Sequence, residues 1–354
     1  MIAMSGGVDS SVAAYLTKQL GFDCIGATMK LFSNEDITVG KSAPCCSLKD
    51  TDDANGVAYR LGIPHHVFNF AYDFESMVIR RFIEAYERGY TPNPCVDCNR
   101  YVKFGALLSK AMELSCDFLV TGHYARIEWD GERSRFSLKK ALDDEKDQSY
   151  FLYSMTQDQL AHALFPLGEM RKKEVKDVAL TQGFLNAQKR ESQDICFIAD
   201  GRYADFIEQY TKKTYEPGDF INSDGKPLGK HKGIIRYTVG QRKGLRISSP
   251  HPLYVCAKNA RHNTIALGDE KMLYSTTTAA DSFNWIRPKP AVATRIIAKT
   301  RYRQTGQWAT VVAVGDAFVR IEFDEPQRAV AYGQALVLYD GDFVIGGGTI
   351  INED

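Results

Sequence analysis

The sequence predicts an α/β domain built on a doubly wound parallel sheet, followed by a small central β-containing domain and a C-terminal β-barrel. In the first half, short apolar runs alternate with segments of helical spacing, which is the rhythm of strand–helix–strand units. After about Phe197 the chain becomes turn-rich, and from about Thr276 it shows β-rich runs separated by turns. We therefore predict domains at 1–197, 198–274 and 275–354.

The individual elements follow from apolar runs, helix stop signals and turn residues. The predicted strands of the first domain are 1–4, 23–29, 64–70 and 117–121. The predicted helices are 10–20, 50–61, 73–88, about 99–114 and 171–182. We expect a loop at 31–48, a hairpin over 125–142, and a loop at 91–94, whose two prolines disfavour a helix. The β-rich runs of the last domain are 291–299, 308–314, 318–323 and 335–339.

The most informative segment of the first domain is Ser-Gly-Gly-Val-Asp-Ser-Ser, residues 5–11. It lies between a predicted strand and a predicted helix, so backbone N–H groups and the positive end of the helix dipole would surround an anion. Gly6 and Gly7 would let phosphate oxygens approach the main chain without a Cβ in the way. The alternative is a plain glycine turn before a helix. Ligands of such sheets bind beyond the carboxyl ends of the strands, where Ser5, Met29 and Gly122 are expected to lie.

The charge of the chain is balanced overall but not locally. The 354 residues have a formal net charge of zero, so no global field attracts nucleic acid. However, 226–246 carries seven Lys or Arg and 287–303 carries six, and neither stretch has an acidic residue. Such a run is often only a solvated face, but two of them in a neutral chain favour contact with RNA phosphates. Tyr237, Gln241 and Tyr302 would add stacking and hydrogen-bonding groups.

The eight cysteines indicate thiol chemistry rather than disulfide cross-links. The sequence shows no run of 18 apolar residues and no signal-peptide pattern, so we expect a cytoplasmic protein without a membrane span, in a reducing compartment. Cys98 is expected near a helix N-terminus, which would lower the pKa of its thiol. Cys196 lies between apolar residues, and a small buried hydrophobe is the alternative to a functional thiol there. Cys45 and Cys46 are adjacent and are expected to be incidental.

Eight segments follow one another in a fixed order. They are Ala-Met-Ser-Gly-Gly-Val-Asp-Ser-Ser (3–11), Thr-Pro-Asn-Pro with the Cys-Asn that follows (91–99), Thr-Gly-His-Tyr (121–124), Lys-Asp-Gln-Ser-Tyr-Phe-Leu (146–152), Ile-Cys-Phe-Ile (195–198), Thr-Val-Gly-Gln-Arg-Lys-Gly-Leu (238–245), Lys-Thr-Arg-Tyr-Arg-Gln (299–304) and Gly-Gln-Ala (333–335). Together they resemble the bacterial tRNA-specific 2-thiouridylases of the PP-loop ATP pyrophosphatase family. The resemblance implies an adenine nucleotide alpha hydrolase-like first domain, which cleaves ATP to AMP and pyrophosphate.

The resemblance also implies a role for individual residues. The implied ATP-binding residues are Ala3, Met4, Ser5, Gly6, Gly7, Val8, Asp9, Ser10, Met29 and Gly122. The implied contacts with the target base or the tRNA are Asn93, Pro94, Cys95, His123, Lys146, Asp147, Gln148, Arg301, Tyr302 and Gln334. Cys196 would carry a persulfide and Cys98 would be the nucleophile that releases its sulfur, which leaves a Cys98–Cys196 disulfide. Asp9 could position Mg²⁺ or pyrophosphate, or simply cap its helix, and His123 could be structural.

The sulfur route stays open at this point. The family often has aspartate at the position of Cys95, and here Cys95, Cys98 and Cys196 offer three thiolates that could hold a [4Fe-4S] cluster. Zinc or an inert cysteine are further alternatives. The implied partners are tRNAs for Glu, Gln and Lys and a sulfur-relay protein or cysteine desulfurase. Family members usually have several residues before the first strand, which leaves open a start upstream of Met1.

Two competing functions make different predictions. Another PP-loop ligase, which joins ammonia or an amine to an adenylated substrate, would need neither Cys98 nor Cys196. A non-enzymatic ATP-binding RNA module would not consume ATP in the presence of tRNA.

Overall fold

The structure, a computed structural model, describes residues 1–32, 48–189, 195–198 and 201–353. The chain divides into two compact units, which are described one at a time. The first comprises Met1–Ile79, Cys95–Gly201 and Asp342–Val344, and the second comprises Arg80–Pro94, Arg202–Gly341 and Ile345–Asp354. None of the helices in the described part of the chain is long and apolar enough to cross a membrane.

The first half of the chain alternates strands and helices as predicted. Its strands are β1 (Ile2–Ala3), β2 (Gly26–Lys30), β3 (His65–Asn69), β4 (Leu119–Val120), β5 (Arg126–Asp130), β6 (Arg135–Lys139) and β7 (Ala163–Leu164). Its helices are α1 (Val8–Gln19), α2 (Leu48–Leu61), α3 (Ala71–Phe74), α4 (Arg80–Glu87), α5 (Pro94–Asp97), α6 (Leu108–Glu113), α7 (Gln157–Ala161) and α8 (Lys172–Thr181). Two π-helical segments, Glu75–Ile79 and Cys98–Leu107, join α3 to α4 and α5 to α6, and Ser149–Phe151 is a 3-10 turn.

The parallel sheet confirms the predicted fold class. Its strand order is β3-β2-β1-β4-β7, and every neighbouring pair is parallel. Ile2 of β1 pairs with Gly26 on one side and Val120 on the other, so β1 is an inner strand. The chain leaves β1 toward β3 and returns to β4, which makes the gap between β1 and β4 the switch point where ligands bind in such sheets. Val12 of α1 belongs to the same buried apolar cluster as Ile2 of β1 and Val120 of β4.

Several local predictions were wrong. Pro94 is not in a loop but is the first residue of α5, a position where proline is tolerated because its missing N–H has no helical partner. The helices predicted at 73–88 and about 99–114 are present, but Glu75–Ile79 within the first and Cys98–Leu107 at the start of the second are π-helical rather than α-helical. Met29 does not follow β2 but lies inside it, because the strand begins at Gly26 and ends at Lys30. Most of the predicted loop at 31–48, with Cys45 and Cys46, lies outside the described residues.

The second unit contains an antiparallel-rich sheet and a closed barrel. After α9 (Tyr203–Thr211), the sheet has β8 (Gly218–Ile221), β9 (Pro227–His231), β10 (Tyr254–Asn259) and β11 (Thr264–Gly268) in the order β10-β11-β8-β9, with 3-10 turns at Ile234–Arg236 and Glu270–Leu273. The barrel has β12 (Tyr274–Trp285), β13 (Arg295–Lys299), β14 (Gln307–Val314), β15 (Val319–Arg328), β16 (Ala335–Asp340) and β17 (Phe343–Ile351). Its order is β12-β15-β14-β13-β16-β17, and β17 pairs back to β12. This closure confirms the predicted C-terminal barrel.

Candidate nucleotide and thiol site

The loops that follow β1 and β4 meet at the switch point of the sheet. A Cβ built on Gly122 would lie 2.8 Å from the carbonyl carbon of Asp9 and 2.8 Å from the amide nitrogen of Ser10. Any larger residue at 122 would therefore push the two loops apart. The structure thus brings together the predicted ATP residues at 5–10 and Gly122.

The two glycines of the first loop have different roles. Gly6 has φ +70°, and a Cβ there would lie 2.1 Å from the carbonyl oxygen of Asp50, so the loop conformation itself requires glycine. Gly7 has an ordinary φ of −90° and precedes α1, and the nearest atom to its Cβ position is Ser5 Oγ at 3.4 Å. Gly7 therefore leaves open space in front of the helix N-terminus, where an anion is stabilised.

Hydroxyl groups fix the shape of this loop. The amide of Ser5 donates to Ser10 Oγ at 3.2 Å, and the two serine hydroxyls lie 3.3 Å apart. Ser10 Oγ and Ser11 Oγ donate to the carbonyl of Gly7 at 3.0 and 2.9 Å. The loop is therefore held in shape by its own side chains.

The back of the loop is tied to a segment about 180 residues later in the chain. The carbonyl of Gly6 accepts from Asn186 Nδ2 and from Lys189 Nζ, both at 3.0 Å. Lys189 also bridges Asp50 at 2.5 Å and Asp53 at 2.6 Å. Burial opposes the charged form of Lys189, but the hydrogen bonds with the two carboxylates outweigh it and raise its pKa. These residues were missed by the sequence analysis.

Asp9, a predicted ligand of ATP or Mg²⁺, already has two donors. Its Oδ1 accepts from Lys172 Nζ at 2.6 Å and from the hydroxyl of Tyr124 at 2.8 Å. Both donors are buried, and neither was predicted from the sequence. The carboxylate is therefore an acceptor within a fixed network as well as an acidic residue in the first turn of α1.

The remaining predicted ATP residues form the frame of the cradle. Ala3 ends β1, and Met4 and Val8 are buried in the core beneath the loop. The carbonyl of Met4 accepts from Thr28 Oγ1 at 2.7 Å, one residue before Met29. The side chains of Met4 and Val8 support the loop, while contact with a nucleotide would come from the backbone.

The three cysteines of the predicted sulfur chemistry all belong to the first unit. Cys95 is exposed on α5, Cys98 is half-buried at the start of the π-helical segment, and Cys196 is half-buried. Phe197, next to Cys196, packs edge-to-face on Phe74 of α3 at 5.6 Å between ring centroids. α3 also packs against the π-helical segment Cys98–Leu107, so the Cys196 segment and the segment that begins at Cys98 contact the same short helix.

The predicted lowering of the Cys98 pKa was wrong. Burial raises the pKa of the Cys98 thiol, and the positive charge of Lys103 only partly opposes this. The physical reason is that α5 begins at Pro94, so Cys98 is not at a free helix N-terminus. Residues five apart come into line on a π-helix, which places Lys103 close to Cys98.

The three thiols do not assemble into a metal site. Within 1–32, 48–189, 195–198 and 201–353, no group of three or more His, Cys, Asp or Glu could hold a metal ion. Cys95, Cys98 and Cys196 all lie in these ranges. The donor set that a [4Fe-4S] cluster or a zinc ion requires is therefore not formed, and neither group fits this arrangement.

His123 is buried, neutral and held in one tautomer. Its Nε2 lies 3.4 Å from Lys103 Nζ, and its Nδ1 lies 2.7 Å from Thr121 Oγ1. Burial and Lys103 together hold the pKa of His123 well below its ordinary value. An ammonium group can only donate, so Nε2 accepts from Lys103 and Nδ1–H donates to Thr121. The rings of Phe104 and Phe165 enclose the imidazole.

Lys146, Asp147 and Gln148 form a turn beside Tyr124. Asp147 is buried and accepts from the amides of Ala141 and Ser149 and from the Ser149 hydroxyl. Gln148 Oε1 accepts from the amide of Tyr124 at 3.0 Å. In the structure Asp147 and Gln148 hold this turn in shape, and their contact with tRNA stays a prediction.

In the second unit, Gln334 anchors the stretch that precedes Asn93 and Pro94. Gln334 Nε2 donates to the carbonyl of Thr91 at 2.8 Å and to that of Pro92 at 3.3 Å. The amide of Thr91 in turn donates to the carbonyl of Tyr332 at 2.8 Å. The barrel residue predicted to contact tRNA therefore also positions the predicted target-base residues.

The basic stretches line two cavities in the second unit. One, of about 240 Å³, is lined by Lys230, Lys232, Arg236, Tyr237, Gln241, Gly244, Leu245 and Arg246. The other, of about 470 Å³, is lined by Tyr203, Arg236, Thr238, Val239, Gly240, Gln241, Arg301 and Arg328.

Some side chains of these stretches are less available than the sequence suggested. Arg236 is bound by Asp205 and Glu208 at 2.9 and 2.6 Å, which neutralises part of the charge. Tyr237 is buried against Phe220 and cannot stack on a base as predicted. Tyr302, beside Arg301, is half-buried.

Comparisons with known proteins agree with the predicted architecture. Three family models match in succession: a tRNA methyl transferase HUP domain at residues 1–200, a tRNA methyl transferase PRC-barrel domain at 204–269 and an aminomethyltransferase beta-barrel domain at 275–350. Among solved structures, an NMN synthetase from Francisella tularensis covers 61% of this chain and 77% of its own, at 14% identity and a TM-score of 0.33, which is too low to support an argument.

Curated relatives match along nearly the whole chain. The tRNA-specific 2-thiouridylase MnmA of Clostridioides difficile is 47% identical over 99% of this chain and 97% of its own length. The protein of the same name from Acetivibrio thermocellus is 47% identical over 99% of this chain and 98% of its own. The chain belongs to the tRNA-specific 2-thiouridylase family.

Proposed function

We propose that this chain is an enzyme that uses ATP to replace the C2 oxygen of the wobble uridine of tRNA, at position 34, with sulfur. The observation that supports this most is the phosphate cradle at the switch point, in a chain 47% identical to 2-thiouridylases over nearly its whole length. A methyl transferase, as the family models are described, would need neither ATP cleavage nor paired thiols.

The cradle supports adenylation of the base. The C2 oxygen of uridine is a poor leaving group, so it first attacks the α-phosphorus of ATP, and pyrophosphate leaves with the electron pair of the α–β bridge. The loop at 5–10 and the N-terminus of α1 would hold the phosphates. AMP, now bonded through the original C2 oxygen, becomes the leaving group for sulfur.

The two thiols complete the exchange. The terminal sulfur of a Cys196 persulfide attacks C2, and AMP departs with the oxygen. The Cys98 thiolate then attacks Cys196 Sγ, the S–S bond breaks, and the electron pair stays on the sulfur of the base. A Cys98–Cys196 disulfide remains and is reduced by an external thiol. We propose a sulfur-relay protein or a cysteine desulfurase as the source of the persulfide.

Mg²⁺ would neutralise charge on the phosphates of ATP when it is bound. Because Mg²⁺ is commonly held by substrate phosphates and only one or two carboxylates, the site does not need a dedicated protein cage. Asp9, which is part-exposed at the cradle, is the residue we propose for this contact.

The second unit would bind the tRNA. We propose tRNAs for Glu, Gln and Lys as acceptors, and a cytoplasmic reaction because that is where the substrate is found. Arg246 in one cavity and Arg301 in the other offer positive charge for phosphates. We also retain domain boundaries at 1–197, 198–274 and 275–354.

Formation of AMP and pyrophosphate tests this function. Wild-type protein with ATP and Mg²⁺ should form both products only when unmodified tRNA is added, and Cys196→Ser and Cys98→Ser should block completion of thiolation. Cys256→Ser, which changes a half-buried cysteine of β10, is the matched control. Cleavage of ATP without tRNA would favour an amide or amine ligase instead. Thiolation of tRNA at the wild-type level by both cysteine variants would contradict the proposed roles of Cys98 and Cys196.

A further inference from the structure

An ion pair with a buried lysine lies on the nucleotide loop. Lys172 is only 7% exposed, and its Nζ donates to Asp9 Oδ1 at 2.6 Å. The hydroxyl of Tyr124 donates to the same oxygen at 2.8 Å, and Lys172 Nζ lies 5.7 Å from the centre of the Tyr124 ring. The ammonium group of Lys172 therefore lies at the loop that would bind the phosphates.

Both donors are fixed by contacts of their own. Lys172 is the first residue of α8, and its amide donates to Asp143 Oδ2 at 2.8 Å. Tyr124 follows Gly122, whose lack of a Cβ allows close approach to Asp9, and its amide donates to Gln148. These contacts hold the ammonium of Lys172 at a defined position beside Asp9.

This arrangement is costly as a purely structural device. Lys172 is buried while the side chain of Asp9 is 32% exposed. An ion pair that takes a charge out of water is often no more stabilising than apolar side chains of similar size, so a buried lysine at this loop invites a functional reason. Asp9 stands in the first turn of α1, at the positive end of the helix dipole, where incoming phosphates would also be attracted. A polyphosphate carries more negative charge than one carboxylate and would compete for the same ammonium.

We propose that Lys172 is a pyrophosphate-contacting residue, whose ammonium passes from Asp9 to the β- and γ-phosphates of bound ATP and stabilises the departing pyrophosphate. The inference rests on the proposed function, because it takes ATP as the substrate. The ammonium keeps its proton throughout. The α–β bridging bond breaks as the C2 oxygen bonds to the α-phosphorus, and the negative charge that leaves with pyrophosphate develops beside Lys172. Asp9 retains its hydrogen bond from Tyr124.

The test compares Lys172→Met and Lys172→Arg with Lys173→Met, which removes the exposed neighbouring lysine of the same helix. The dissociation constants of inorganic pyrophosphate and of AMP are measured by calorimetry, and kcat and KM are measured for tRNA-dependent pyrophosphate release. Lys172→Met should weaken pyrophosphate binding at least about tenfold, leave AMP binding unchanged, and lower kcat about 100-fold, as expected when one preorganised charge is removed. Lys172→Arg should recover part of each loss, and Lys173→Met should match wild type.

Tyr124→Phe distinguishes a Lys172 that contacts phosphate from a Lys172 that only positions Asp9. This variant removes the other hydrogen-bond donor to Asp9 but removes no charge. It should lower kcat less than about fivefold, since one hydrogen bond is lost. The inference would be overturned if Lys172→Met weakened the binding of pyrophosphate and AMP equally, or if it behaved like wild type. It would also be overturned if Tyr124→Phe lowered kcat as much as Lys172→Met does. Wild-type protein that forms no product with tRNA would refute the proposed function, while the two binding constants would still test Lys172.

Discussion

Replacing Gly6 with alanine should destabilise the first unit for two separate reasons. Gly6 has φ +70°, and a Cβ there would lie 2.1 Å from the carbonyl oxygen of Asp50, a backbone atom that has no rotamer to change. The left-handed conformation costs alanine roughly 1–2 kcal/mol, and relief of the clash adds roughly 1–3 kcal/mol. We expect a loss of about 3 kcal/mol in the free energy of unfolding, or about 6–12 °C in Tm for a unit of this size.

Gly7→Ala is the matched control in the same loop. Its φ is −90°, and its Cβ would meet Ser5 Oγ at 3.4 Å, so no clash arises. Because alanine is a poorer N-cap than glycine, the free energy of unfolding should fall by about 0.5–1 kcal/mol, well below the loss expected for Gly6→Ala. However, the added methyl group enters the space in front of α1 and should raise the dissociation constant of ATP at least about tenfold. Scanning calorimetry and ATP titration measure the two effects. A Gly6→Ala protein that melts within about 2 °C of wild type would refute the reasoning.

Three further predictions concern the thiol site and its supports. Because burial raises the pKa of Cys98, the rate of its alkylation by iodoacetamide should keep rising above pH of about 8.5, the ordinary thiol pKa. Lys103→Met should move this rate profile to higher pH, because it removes a charge that lowers the Cys98 pKa. An unchanged profile in Lys103→Met would contradict an electrostatic effect of Lys103 on Cys98. Because burial and Lys103 lower the pKa of His123, the unfolded state takes up its proton more readily, so the free energy of unfolding should fall as the pH drops below about 6.5. Urea titrations should show that His123→Gln flattens this slope, and an equal slope in both proteins would count against it. Gln334→Ala should lower the free energy of unfolding by about 1–2 kcal/mol in denaturant titrations, because two loop carbonyls lose their donor. Gln307→Ala, which removes a barrel side chain bonded to the carbonyl of nearby Thr305, should be close to neutral, and equal effects of the two variants would exclude a positioning role for Gln334.

The parts of the site that are local in sequence could be predicted. An apolar strand, two glycines and a helix with Val12 on its buried face are neighbours in the chain, and their order alone indicates an anion cradle after β1. The parallel sheet likewise follows from the alternation of apolar runs and helical spacing. The β-rich runs after Thr276 predict strands, whereas their closure into a barrel was implied by the family resemblance. Strand β7 was missed because two residues, Ala163 and Leu164, give no periodic signal.

The supports of the site could not be predicted because they are distant in sequence. Lys172 lies 163 residues from Asp9, and Asn186 and Lys189 lie 180 and 183 residues from Gly6. The sequence of α8 gives no signal that distinguishes the buried Lys172 from the exposed lysines of the same helix. The direction of the Cys98 pKa shift also depended on packing, since burial of the thiol is its main cause.

Nucleoside mass spectrometry of tRNA tests the central claim most directly. Unmodified tRNA is incubated with the protein, ATP, Mg²⁺ and a persulfide donor, then digested, and 2-thiouridine is quantified beside a reaction with a known active thiouridylase. We predict that wild-type protein forms 2-thiouridine at the wobble position and that Cys196→Ser forms none. Absence of 2-thiouridine from the wild-type reaction, while the reference enzyme is active, would contradict the account.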